Sequence, residues 1–126
     1  MEIFRTKWFA RFARQERIND DTLLEAIRRA EHGLIDADLG GGLIKLRVGR
    51  PGQGRSGGYR MIVAFRAKSR AFFVFAFAKS DRENIEPNEL LVLRQVAATW
   101  LDASEKRIAT GLEQDEIQEI PNEEET

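Results

Sequence analysis

Cysteine is absent and histidine occurs once, at His32. The first absence removes disulfides and thiolate zinc sites together. The second leaves His32 near the end of a predicted amphipathic helix, without the further histidine or cysteine cluster of a metal site, so neither a metal nor a cofactor is expected. Long apolar runs are missing too, since none reaches the ~18–20 residues of a membrane span. Met1 to Lys7 lacks the basic-then-apolar order of a secretory signal. A cytoplasmic location with no membrane partner is the expectation. Neither GxSxG, a P-loop nor a dinucleotide fingerprint occurs, and the glycine-rich 49–58 segment lacks the Gly-Lys-Ser/Thr ending that cradles phosphate.

What is present fits one globular domain: 126 residues, 42% hydrophobic and 33% charged. The net charge of −1 conceals a split, because all 20 Lys and Arg lie at or before Arg107 while seven of the 21 acids fall between Glu113 and Glu125. The expected organisation is a basic domain over 1–110 and an acidic tail over 111–126, disordered in part from Pro121 onward. Positive charge is densest from Gly40 to Asp81, where Lys45, Arg47, Arg50, Arg55, Arg60, Arg66, Lys68, Arg70 and Lys79 face a single acid, Asp81. Such an excess points to a polyanionic partner. It also leaves paired-carboxylate catalysis no local support.

Periodicity places the elements. Ile3–Arg5 reads as a short strand, and Trp8, Phe9 and Phe12 give Lys7–Glu16 a helix with an aromatic, core-facing side. Asn19, Asp20, Asp21 and Thr22 supply cap residues, Thr22 and Glu25 at capping-box spacing, ahead of a second helix over Asp21–His32, which Gly33 ends in a left-handed cap. Leu34–Leu39 is expected to be irregular. After the Gly40-Gly41-Gly42 break, Leu43–Val48 alternates, so that Ile44, Leu46 and Val48 face the core while Lys45 and Arg47 stand together on the other side. Arg50–Gly58, with one proline and repeated glycines, reads as a flexible basic loop. Tyr59–Arg66 is the next strand, and Lys68-Ser69-Arg70 turns the chain into Ala71–Ala78, a central strand buried on both faces. Glu86-Pro87-Asn88-Glu89 starts a third helix reaching Lys106, its stripe formed by Leu90, Leu93, Val96, Ala97, Trp100 and Leu101.

Lys and Arg gathered on a sheet face suit a phosphodiester backbone. RNA carries its own nucleophile: a 2′-hydroxyl attacks the adjacent phosphorus once a base removes its proton, cations stabilise the pentacoordinate charge and an acid protonates the departing 5′-oxygen. With histidine scarce, a lysine among cations would take the base role, and Lys45 beside Arg47 fits. On the residues alone, simple nucleic-acid binding and cleavage both remain open.

The segments Phe4-Arg5-Thr6-Lys7-Trp8-Phe9, Ala37 to Arg47, Gly57-Gly58-Tyr59-Arg60 and Phe77 to Arg82, in that order and spacing, resemble the RelE/ParE superfamily of type II toxin-antitoxin toxins, most closely its HigB-like branch. The resemblance covers about Ile3 to Arg107. It implies an α+β fold, with two amino-terminal helices on a small twisted antiparallel sheet and a carboxy-terminal helix. It implies a metal-independent endoribonuclease that cuts translated mRNA on the ribosome and is neutralised by a cognate antitoxin. Transferred by motif, Lys45 becomes the general base, Arg47 a phosphate ligand, Arg60 the transition-state cation and Lys79 a general acid or phosphate contact. Arg50, Arg55 and Arg66 become RNA or ribosome contacts. Tyr59 is either a base-stacking ring or, by its parity with Met61, Val63 and Phe65, part of the core. Relatives commonly place a further arginine, aromatic or histidine after the third strand, where this chain has Ser80 and ends the segment at Ile85. The general acid is therefore unassigned. Two other readings stand beside this one: a non-enzymatic, ParE-like inhibitor of DNA gyrase, and a plain RNA-binding module. The acidic tail invites one more, that Glu113–Glu125 folds over the basic face, against the default of a solubilising tail.

Overall fold

The computed structural model describes residues 1–50 and 54–122, with side chains described outside 54–56. The elements run β1 (Glu2–Thr6), α1 (Lys7–Glu16), α2 (Asp20–Glu31), β2 (Ala37–Gly40), β3 (Leu43–Arg50), β4 (Gly54–Arg66), β5 (Arg70–Ala78), α3 (Pro87–Leu101), α4 (Glu105–Glu113) and β6 (Ile117–Glu119). The strands form one sheet in the order β2-β3-β4-β5-β1-β6. The expected α+β class stands, with one difference. The sheet is antiparallel except at β1 and β5, which pair in parallel, Glu2 opposite Arg70 and Arg5 opposite Phe73.

Two helices cover each face. On one side α1 and α2 send Phe9, Ala13, Leu23, Ala26 and Ile27 onto Ile44, Leu46, Val48, Met61, Val63 and Phe73. On the other, α3 and α4 send Leu93, Ala97, Trp100, Leu101 and Ile108 onto Leu43, Ile62, Ala64 and Phe72. β4 and β5 are therefore apolar on both sides, because each is sandwiched between helices, whereas Lys45 and Arg47 lie farther along β3 than the part that α3 covers. α1 starts on Thr6, whose hydroxyl accepts the Phe9 N–H, and ends on Arg17 in the left-handed region at φ 57. Of the cap residues offered, Asn19 caps α2, accepting from the Thr22 N–H directly before the helix, and the Thr22–Glu25 box does not form. Gly33, at φ 79, ends that helix as expected.

Three expectations give way. Leu34–Leu39 is not wholly irregular, because Ala37–Gly40 pairs with β3 as an edge strand, Ala37 opposite Lys45. Of the expected basic loop, Pro51–Gln53 lie outside the described residues, but Gly54–Gly58 belong to β4. Glycine is needed at 58 because the register between β3 and β4 shifts after Val48, and a Cβ there would collide with the Val48 carbonyl oxygen. Finally, the third helix stops at Leu101, and Ser104 caps a fourth by accepting the Arg107 N–H.

The residues expected to begin an acidic tail at 111 are part of the fold through Asn122. Gly111 packs on the Trp100 ring, with room for no Cβ, and Ile117 and Ile120 are fully buried, each side chain contributing about 2 kcal/mol of apolar burial. β6 pairs with β1, so this acidic segment lies at the far edge of the sheet from β3, four strand spacings or about 19 Å away. Its described residues, through Asn122, therefore do not cover the Lys45–Arg47 face. Residues 123–126, where disorder was also expected, lie outside the described residues.

Candidate nucleic-acid interface

A hairpin and a register bring the candidate cations together. Lys45 and Arg47 alternate onto one face of β3, and Arg47 pairs across the ladder with Arg60 of β4. Three cations so close repel one another unless an anion joins them. Asp36 does so. Its backbone N–H donates to the Lys45 carbonyl at 2.8 Å, which extends the β2–β3 pairing by one residue and sets its carboxylate among the three side chains. Arg47 Nε donates to Asp36 Oδ1 at 2.6 Å, Lys45 Nζ lies 3.5 Å from Oδ2, and Arg60 Nε lies 3.9 Å from Oδ2. The exposures differ within the cluster: Arg60 is buried at 5%, whereas the Arg47 side chain is half exposed. Sequence reasoning missed Asp36 because it missed β2. The signal was there in Asp36-Ala37-Asp38-Leu39, which alternates polar and apolar residues ahead of a three-glycine turn into β3.

The same face continues onto β5. Phe77 lies opposite Arg60 and Phe75 opposite Ile62, and Lys79 follows in the alternation, its N–H donating to the Gly58 carbonyl at 2.9 Å. Lys79 Nζ is 3.6 Å from Glu83. Arg82, which the sequence reading did not single out as a site residue, folds back so that its guanidinium lies 5.3 Å from the Phe75 ring centre and 5.0 Å from that of Phe77. It is held there by Glu89 at 3.0 Å. That contact and the Glu86 N–H keep the Glu89 carboxyl below the ordinary carboxylate range.

Other candidates lie elsewhere. Tyr59 is 3% exposed on the opposite face, edge-on to Phe12, with its hydroxyl donating to Glu16 at 2.9 Å. Burial first, and then Glu16, push its phenol up from the usual value. A ring so enclosed has no free face for a base. Arg50 turns to that side too, 5.3 Å from the Tyr59 ring centre and 3.8 Å from Glu16. Arg66 is at the other end of β4, about 20 Å along the strand from Arg60, where it binds the Leu101 carbonyl and Asp102 at the end of α3. Arg70, beside it, is tied to Glu2, Glu105 and the Trp100 carbonyl and is a packing residue. The Arg55 side chain lies outside the described set. Trp8, expected in the core, is 43% exposed and stacks on Phe12 and Phe75. Among the described residues, no three His, Asp or Glu side chains come together as a metal-holding group.

An open six-stranded sheet with helices on both faces and a cation cluster on its middle strands has the RelE-like α+β form. The family model described as RelE toxin of RelE / RelB toxin-antitoxin system matches residues 1–120, and the chain belongs to that family. It is a toxin of a toxin-antitoxin system, and such toxins are generally translation-inhibiting endoribonucleases with a cognate antitoxin. The match extends through Ile120 and so takes in α4 and β6. No curated protein matches the chain.

Proposed function

We propose that this toxin is a ribosome-dependent endoribonuclease that cuts translated mRNA through attack of a 2′-oxygen on the adjacent phosphorus. The observation that carries the reading is the gathering of Lys45, Arg47 and Arg60 around one carboxylate. A carboxylate held by a lysine and two arginines occupies the place that a scissile phosphate would take, so the incoming phosphate exchanges with Asp36 for the same donors. Arg47, the exposed member, meets it first. Arg60, fixed in the sheet, stabilises the negative charge that grows on the phosphoryl oxygens. Lys45 takes the 2′-hydroxyl proton, the new O–P bond closes a 2′,3′-cyclic phosphate, and the 5′-oxygen leaves with a proton for which Lys79, on the β5 side of the same face, is the candidate donor.

The test is to map message ends in cells after brief expression of wild type and of Arg60→Ala. New internal 5′ ends within translated frames, lost in the variant while the antitoxin still binds it, are expected. Intact message together with DNA damage would move the chain to the gyrase-inhibiting reading.

A further inference from the structure

Helix α1 breaks local rules that the other helices keep. Lys7, Arg11 and Arg14 recur at one-turn spacing along its exposed side, and Arg17 at the carboxy-terminal cap continues the line over about 15 Å. Like charges three and four residues apart destabilise a helix. A lysine in the first turn also opposes the macrodipole, and α1 is the one helix among those described with no acid in its first turn. No ion pair or side-chain hydrogen bond involves any of these four cations among the described residues. Helix α2 shows the ordinary arrangement, since Arg28 and Arg29 both meet Glu25, at 3.0 and 3.8 Å. Strain of this kind, uncompensated among the described residues, marks a surface suited to counter-charge from outside.

We propose that this row is a docking surface for the phosphodiester backbone of a folded RNA, distinct from the strand at the sheet face. The proposal rests on the reading that the toxin works on RNA. Two features favour a nucleic acid over an acidic protein. Trp8, the exposed apolar side chain beside the row, is already stacked on Phe12 and Phe75, so the row offers charge without a free apolar anchor, whereas protein interfaces centre on apolar anchors and phosphate contacts require only charge. At the cap end the row also opens into a groove between α1, the turn that follows it and the β1–β6 edge of the sheet, lined by Arg14, Arg17, the Arg5–Asp20 pair and Gln118, which gives a backbone room to lie.

The test is a binding titration of the full chain with a labelled RNA stem-loop of mixed sequence across a salt series, with polyglutamate as the comparison polyanion. In Lys7→Gln/Arg11→Gln/Arg14→Gln, the slope of log affinity against log salt is expected to flatten by about two to three units, uniformly across sequences. Lys7→Arg/Arg11→Lys/Arg14→Lys, which keeps the charge, is expected to keep the slope. An unchanged slope in the first variant overturns the proposal, and so does loss in both. A variant that loses only polyglutamate binding assigns the row to an acidic protein and overturns it as well. Cleavage read in the same samples separates the two readings: if wild type never cuts RNA while the slope still depends on the row, the nuclease fails and the docking surface stands.

Discussion

Two groups of cations lie in this molecule, and they differ in whether the described residues supply their counter-charge. Lys45, Arg47 and Arg60 share Asp36, whereas Lys7, Arg11, Arg14 and Arg17 share nothing among the described residues. An internal acid fixes geometry and lets a single phosphate replace it donor for donor, which suits chemistry at one phosphorus. Cations without an internal acid stay hydrated, hold diffuse counterions and gain by releasing them, which suits docking along many phosphates. Charge density along the sequence did not show this difference. The stretch that looked most basic is the one whose charges are largely answered from within.

Breaking the comparison begins at the sheet. Arg60→Ala or Lys45→Ala is expected to lower cleavage of translated message by about 10²- to 10⁴-fold, with the far-ultraviolet circular dichroism spectrum unchanged because Asp36 keeps Arg47 and one further cation. Retained cleavage in both variants would remove this cluster from catalysis. The next effect is on stability and has opposite signs in the two regions. Asp36→Ala leaves buried Arg60 without that acid and is expected to lower unfolding stability by about 2–3 kcal/mol in urea titration. The triple glutamine variant of α1 is expected to raise it by about 0.5–1 kcal/mol, through relief of like-charge pairs. Two shifts of the same sign would mean that the regions are not different in kind.

The smallest effect depends on pH and concerns Tyr59, on the face away from the cluster. Its phenol titrates higher in the folded chain than in the unfolded one, so folding favours the protonated form. That contribution is whole below about pH 10, where the unfolded phenol titrates, and declines as pH climbs through the folded value. Tyr59→Phe is expected to flatten the alkaline limb of the stability profile between about pH 9 and 11. A limb that persists in Tyr59→Phe assigns it to another group.

Much of the frame was legible in advance. The bounds of α1 match residue for residue, and the alternation of Leu43–Val48 put Ile44, Leu46 and Val48 on the core and Lys45 and Arg47 together, as found. Ala71–Ala78 was read as buried on both faces, and β5 lies between helices on each side. What escaped was short or conditional. β2 is four residues long and is held by pairing with β3, and an alternation so short does not by itself separate a strand from a loop. The break after Leu101 depends on Ser104 as a cap, within a run whose apolar spacing continues across it. The segment around β6 is rich in acids that argue for disorder, and two buried isoleucines, the Arg107–Glu116 pair and the free edge of β1 outweigh them.

The sequence by itself determined the strand and helix faces, because side-chain direction repeats with a fixed period along each element, and it placed the positive charge on particular strands. Tertiary structure alone decided which of those charges are answered. Asp36 reaches Arg60 across 24 positions of chain and β6 reaches β1 across more than a hundred, and a pairing made at such range is set by the register and order of strands, which no local periodicity encodes.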